Sequence, residues 1–300
     1  MLQRYDERNR DLIVNINGRL VHRDEAGVSP FDSVVQGGDA VWEGLRLYAG
    51  RIFALDEHLA RLRRSATALG FTEIPTDGEI TAELRKTLAA NAMTDGVHIR
   101  LTLTRGVKVT SGMDPRLNQH GPTLIVLAEH KPPVYDRRGI ALITSTYRRP
   151  TPDVLDAKIH HNNLLGSILA KLEANAAGAD DAIMLDSRGF IAETNATHLF
   201  LVADGTLCTP TTVACPEGIT RMSILTLAAR AGIATSEGDF TLDDLYRADE
   251  AFVTGTMGEI AAIASVDGHQ IGTQPPGPLT RRMSEAYATL TATSGTDVVG

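Results

Sequence analysis

Cysteine is nearly missing from this chain: 300 residues hold two, Cys208 and Cys215, with six residues between them. That scarcity excludes a disulfide framework and a zinc site of paired cysteines, and it predicts reduced thiols in a cytosolic protein. Lysine is scarce too. Lys86, Lys108, Lys131, Lys158 and Lys171 stand against 24 arginines, so chemistry that needs a primary amine has five candidates. Positive charge is in deficit. The 29 basic and 37 acidic side chains give a formal charge of −8. This excludes nucleic acid as the main partner, because a phosphate backbone calls for a basic surface. No apolar run reaches membrane-spanning length, and the opening MLQRYDERNRD carries no hydrophobic stretch. Neither a membrane segment nor a secretory signal is therefore expected. Repeats and low-complexity segments are absent.

What is present suits a globular fold. A hydrophobic content of 43% is enough to bury one large domain or two medium ones. "LIVNINGRLVH" reads as a hairpin turning at Asn17-Gly18, and "AVWEGLRLYAGRIFAL" as another turning at Ala49-Gly50. Apolar Leu59, Leu62, Ala66 and Leu69 predict a helix from Asp56 to Leu69, closed by Gly70. A second helix fits Glu79 to Ala92. "VHIRLTLTRG" alternates, with Val97, Ile99, Leu101 and Leu103 on one face and His98, Arg100, Thr102 and Thr104 on the other. "TLIVLAE" reads as an apolar strand.

"HKPPVYDRRG", with two prolines and four basic residues, is the linker candidate. The predicted organisation is a domain over 1–129, a linker over 130–137 and a domain over 138–300. Beyond the linker the pattern gives strands at 140–145, 181–186, 197–202 and 250–255. Helices follow at about 163–177, 218–231 and 279–290. The irregular order of strands and helices predicts a mixed α/β fold with many antiparallel strands, not a doubly wound one.

Four stretches carry chemistry. Lys158 lies shortly before a helix, flanked by Leu155, Ala157 and Ile159, which permit the burial that makes an amine nucleophilic. The alternative is a solvated lysine. The adjacent His160 and His161 diverge on any regular element and lack partners at metal-ligand spacing, so no metal is expected. Hydrogen bonding at a turn by His161 and Asn162 is the reading for that pair. Glu193 leaves the strand after the Ser187-Arg188-Gly189 turn, among small polar residues enclosed by apolar runs, and calls for a cationic partner. Gly218, Ile219 and Thr220 open a helix whose first N–H groups lack helical partners, a place that binds phosphate. Thr254-Gly255-Thr256 ends a strand with a similar turn. Arg61 in "EHLARLRRSA" offers a guanidinium fork for phosphate, or else faces solvent with Arg63 and Arg64. An amine, an acid and a phosphate cradle are together the requirements of pyridoxal 5′-phosphate.

The chain resembles the class IV (fold type IV) pyridoxal-phosphate-dependent aminotransferases, the group of the branched-chain and D-amino-acid aminotransferases. "GDAVWEGLRLY", "EHLARLRRSA", "HIRLTLTRG", "AKIHHNNLLGSILA", "GFIAETNATHLFLV", "PEGITR" and "FVTGTMGEI" carry the likeness nearly end to end, in family order. The resemblance implies a small N-terminal α/β domain, a larger C-terminal pseudo-barrel domain and a homodimer or higher homo-oligomer. It implies Lys158 as the Schiff-base lysine and Glu193 as the partner of the pyridine nitrogen. Arg61, Ile219, Thr220 and Thr256 then hold the phosphate, and Asn163 stands where a tyrosine commonly contacts the ring hydroxyl.

For substrate, Gly37, His98 and Asn163 match places that the branched-chain branch fills with tyrosines. Trp42 sits at an aromatic position, and Met257 joins the substrate-binding set. Arg100 matches a position that grips a side-chain carboxylate, with pairing to an acid such as Glu43 as the alternative. The expected activity is transamination between a branched-chain or other aliphatic L-amino acid and a keto acid such as 2-oxoglutarate. The alternatives are a D-amino-acid or (R)-amine transaminase and an aminodeoxychorismate lyase. Arg116 and His120, in "GMDPRLNQHG", approach the carboxylate trap of the D-amino-acid branch at a wider spacing.

Overall fold

A computed structural model describes residues 3–136 and 138–299, which form two compact units. The smaller comprises Gln3–Pro132 with Ile159–Asn163 and the chain end from Thr291; the larger comprises Pro133–Lys158 and Leu164–Leu290. The chain passes between the units at Pro132–Pro133 and returns twice to the smaller unit, at Ile159–Asn163 and from Thr291 on.

In the smaller unit the strands are β1 (Ile13–Ile16), β2 (Arg19–His22), β3 (Ala40–Tyr48), β4 (Arg51–Ile52), β5 (Val97–Thr104) and β6 (Thr123–His130). The helices are α1 (Ser33–Gly37), α2 (Leu55–Ala68) and α3 (Asp77–Ala90). Both expected hairpins form. Asn17 and Gly18 have φ of 50° and 78°, and Ala49 and Gly50 have 45° and 81°, as tight turns between twisted strands require. α3 starts two residues before its expected position because Thr76 caps it: its hydroxyl accepts from the Glu79 N–H, while Glu79 accepts from the Thr76 N–H at 2.7 Å. Alternation in β3 and β5 sends Val41, Leu45, Leu47, Val97, Ile99, Leu101 and Leu103 into one core with Leu55, Leu59 and Leu62 of α2. The opposite face carries Trp42, Gly44, Arg46, His98, Arg100 and Thr102, held in register by the Arg46–His98 and Gly44–Arg100 pairs.

In the larger unit the strands are β7 (Ile140–Arg148), β8 (Asp181–Leu185), β9 (Ile191–Thr194), β10 (His198–Ala203), β11 (Thr206–Pro210), β12 (Thr235–Gly238), β13 (Glu250–Gly255), β14 (Glu259–Val266) and β15 (His269–Gln270). The helices are α4 (Pro152–Leu155), α5 (Leu165–Ala176), α6 (Ile219–Arg230), α7 (Leu242–Tyr246) and α8 (Pro278–Thr293). The sheet order is β12-β11-β10-β13-β14-β7-β8-β9, with β15 added to β14. Three neighbouring pairs are parallel: β7–β8, β14–β7 and β11–β12. The last strand in this order, β9, is tied directly to the third, β10, by a turn in which the Thr194 N–H donates to Thr197 O at 2.8 Å. The sheet therefore curls on itself, the pseudo-barrel that the family likeness implied. The sequence pattern marks no strand at 259–266, where alanines weaken the β signal; pairing to β13 on one side and β7 on the other makes it one. After α8 the chain adds β16 (Thr296–Asp297) to β4, completing a seven-stranded antiparallel sheet in the smaller unit. Among the described residues no helix is long and apolar enough to cross a membrane.

Candidate active site

The candidates divide between the units. Lys158, Glu193, Ile219, Thr220, Thr256 and Met257 lie in the larger; Trp42, Arg61, His98, Arg100 and Asn163 lie in the smaller.

In the larger unit Lys158 stands on the turn after α4. Its backbone N–H donates to Asp156 Oδ1 at 2.9 Å, and the residue is exposed while Ala157 before it is buried. Glu193 occupies β9 opposite Met184 of β8, and only 7% of it is exposed. The expected cationic partner is Arg149, whose Nη2 lies 3.1 Å from Oε1. His198, at the start of β10, places Nδ1 3.9 Å from Oε2. Cys215 completes a tight group: ligand-type atoms of Glu193, His198 and Cys215 lie within 4.8 Å of one another. That spacing would suit a metal, but the Arg149 guanidinium already compensates the carboxylate. Burial pushes the Cys215 thiol far up, the Glu193 charge adds to the rise, and the Arg221, Arg149 and Lys158 charges oppose it. A protonated thiol is a poor ligand. Lys158 and Glu193 are thus both among the charges that act on the Cys215 thiol. Both cysteines are free and buried.

That region borders the start of α6. Gly218 has φ of +53°, and no side chain caps the helix, which leaves its first N–H groups without a side-chain acceptor. A Cβ at 218 would lie 2.3 Å from the His198 ring. Buried Arg221 fixes this end of the helix through Pro210 O at 2.9 Å and Thr209 Oγ1 at 3.3 Å. His198 pairs with Thr254 across β10 and β13, so their side chains share a face. The fully buried Thr254 Oγ1 has no hydrogen-bond partner. Thr256 and Met257 follow on the turn into β14, where Met257 O accepts from the Val134 N–H at 3.3 Å.

In the smaller unit, Arg61 is 8% exposed and its fork is taken by Glu43: Nε reaches Oε1 at 2.9 Å and Nη2 reaches Oε2 at 2.6 Å. His58 and His160 crowd the same carboxylate at 2.7 and 3.4 Å. Burial would raise the Glu43 carboxyl, but the charges of Arg61 and His160 hold it well below the usual range. Glu43 therefore does not pair with Arg100, the alternative raised from the sequence. Glu43 faces α2, whereas Arg100, opposite Gly44 in the ladder, faces the other way. There Arg100 donates to Asn162 Oδ1 at 2.7 Å and lies 3.5 Å above the Trp42 ring, which stacks on His160 at 4.2 Å. Burial lowers Arg100 to about 10, so it remains charged at neutral pH. His98 is buried with Nε2 unpartnered.

Asn163 spends its amide on Gly38 O at 3.2 Å, and Gly37 looks into open space. His161 accepts a turn hydrogen bond at Nδ1 from the Asn163 N–H at 3.1 Å, whereas the Asn162 side chain accepts from Arg100 and not from the turn. Arg116 pairs with Asp114 on an exposed turn, and His120 is exposed as well. Sequence reasoning missed Arg149, His198 and Cys215. Arg149 and Glu193 are far apart in the chain, and nothing local marks either as the other's partner.

The sequence model of the amino-transferase class IV family matches residues 40–266. The chain belongs to the class IV aminotransferases. A branched-chain-amino-acid aminotransferase-like protein 2 of Arabidopsis thaliana is 52% identical over 97% of this chain and 52% of its own length. This chain thus spans about half of that relative. A putative branched-chain-amino-acid aminotransferase of Methanocaldococcus jannaschii is 39% identical over 91% of this chain and 94% of its own. The crystal structure of the Escherichia coli branched-chain amino acid aminotransferase superposes with a TM-score of 0.87 at 30% identity, covering 97% of this chain and 96% of that one.

Class IV aminotransferases use pyridoxal 5′-phosphate. The larger unit fits that cofactor on its own features. An uncapped helix start with a glycine held open suits a phosphate, the orphaned Thr254 hydroxyl supplies a buried polar group, and Lys158 presents an accessible amine within electrostatic reach of the region around Glu193.

Proposed function

We propose that this class IV aminotransferase moves an amino group between a branched-chain or other aliphatic L-amino acid and a keto acid such as 2-oxoglutarate. Membership of the family carries the reading, and the buried Glu193 with its Arg149 partner at 3.1 Å, together with the uncapped start of α6, supports it. Pyridoxal 5′-phosphate, when bound, supplies an aldehyde and a ring that withdraws electrons from the substrate Cα. Lys158 would hold the cofactor through its aldehyde, and its amine would move a proton at the substrate Cα. Glu193, as an anion, would favour a protonated ring nitrogen. The N–H groups of Ile219 and Thr220 and the Thr256 hydroxyl would hold the phosphate. In the smaller unit Arg100, its plane fixed over Trp42, is a cation of the kind that a second carboxylate such as that of 2-oxoglutarate requires.

A cytoplasmic homodimer is part of the same proposal. On α5, Ala170 and Ala174 are buried, while Leu165, Ile168, Leu169 and Leu172 are exposed at helical spacing, an apolar stripe suited to a second copy. The D-amino-acid reading is the less supported, since Arg116 is engaged by Asp114.

Borohydride reduction of the cofactor-loaded protein followed by peptide mapping should label Lys158. A label on another of the five lysines would overturn the assignment. Lys158→Ala should abolish turnover while non-covalent cofactor binding partly survives. A panel of L- and D-amino acids, read by loss of the yellow cofactor band, should respond to L-leucine and not to D-alanine.

A further inference from the structure

Arg149 belongs to no motif picked out in the sequence, yet it contacts Glu193, the segment that leads into α6 and helix α5. It follows the end of β7, where its backbone N–H donates to Leu185 O at 2.9 Å. Its Nε donates to Ala214 O at 3.1 Å, on the segment that leads into α6. Its Nη1 lies 3.4 Å from Ser167 Oγ on α5, the helix that follows Lys158. Its Nη2 pairs with Glu193 Oε1 at 3.1 Å, and the two side chains are only 12% and 10% exposed. A guanidinium tied to three segments has little freedom to leave the carboxylate.

We infer that Arg149 is a positioning residue whose fixed positive charge keeps Glu193 ionised and aimed, and thereby sets the protonation of the cofactor's ring nitrogen. This rests on the proposed pairing of Glu193 with that nitrogen. A carboxylate as buried as Glu193 takes up a proton unless a cation compensates it. A neutral carboxyl would have no charge with which to hold a proton on the ring. His198 Nδ1 stands farther away at 3.9 Å, and the Cys215 thiol is protonated and neutral.

The test uses holoenzyme loaded with cofactor carrying 15N at the pyridine nitrogen, whose resonance distinguishes a protonated ring from an unprotonated one. The wild type and Arg149→Lys, which keeps the charge, should both show the protonated resonance. Arg149→Gln, which keeps a donor and loses the charge, should move toward the unprotonated position. Its amino-donor half-reaction should slow on the order of a hundredfold, the span expected when one acid–base element is lost. KM should change little. A protonated resonance in Arg149→Gln, or an unprotonated one in Arg149→Lys, would overturn the inference. An unprotonated resonance in the wild type would instead sink the assignment of Glu193. If circular dichroism shows that Arg149→Gln does not fold, Arg149→Lys decides alone: protonated supports the charge argument and unprotonated overturns it.

Discussion

His98 offers a quantitative check on the electrostatics of the smaller unit. Burial drives its imidazole from the ordinary 6.5 down to about 3, and the charges of Lys131, Arg46 and Arg100 push the same way. The unfolded chain therefore takes up a proton near pH 6.5, and the folded chain only near 3. Between those values the unfolded state holds more protons, so stability falls as the pH falls. A separation of about 3.5 pH units sets a ceiling of about 5 kcal/mol, and the part lost between pH 7 and pH 5 is about 2 kcal/mol. His98→Gln removes the titration and keeps a polar side chain of similar length. Urea unfolding at the two pH values should show the wild type losing about 2 kcal/mol more than the variant on acidification, because the other titrating groups cancel in the comparison. Parallel losses would refute the placement of His98 in a dry, cationic setting. The outcome also bears on substrate. At neutral pH the ring is uncharged, so the Arg100 guanidinium beside it is the group left to meet a carboxylate.

Arg100→Ala should cut kcat/KM for 2-oxoglutarate by roughly tenfold to a hundredfold, the worth of one charged hydrogen bond, while keto acids with a single carboxylate keep theirs. Equal losses for both would make Arg100 structural. Gly218→Ala would set a Cβ 2.3 Å from the His198 ring at a φ of +53°. It should weaken cofactor binding in equilibrium dialysis by about tenfold or more, and an unchanged affinity would remove α6 from the phosphate site. Replacing Ile168 and Leu172 together by glutamate should convert dimer to monomer in sedimentation velocity. Variants that stay dimeric would place the interface elsewhere.

Local chemistry made most of the fold readable. The hairpins at Asn17-Gly18 and Ala49-Gly50, the α2 stripe and the alternation of β5 all follow from side chains acting within a few residues. Strand β14 was not readable, because its alanines become a strand only through two neighbours brought from elsewhere in the chain. Helix α5 was readable as a helix, but which face it buries was not: the buried residues are Ala170 and Ala174, and the larger side chains point outward. The candidate site divides along the same line. Lys158, Glu193, Gly218 and Thr256 sit in recognisable local contexts, whereas Arg149 and His198 matter only through contacts that the folded chain creates.

Two buried acids show how similar parts give different capacities. Each unit holds a glutamate compensated by an arginine and a histidine: Glu43 with Arg61 and His58, and Glu193 with Arg149 and His198. Around Glu43 the fork closes at 2.6 and 2.9 Å, the histidine at 2.7 Å, and exposure is nil. Around Glu193 the contacts lengthen to 3.1 and 3.9 Å, and a little exposure remains. Direct hydrogen bonds weaken steeply over that range, so the first cluster pins α2 to β3 while the second compensates charge with a looser grip. A carboxylate that must accept a ligand's N–H needs the second arrangement, since removing a partner from the first would strand a buried ion. On this reasoning Glu43→Gln should cost folding stability, and Glu193→Gln should instead cost cofactor chemistry.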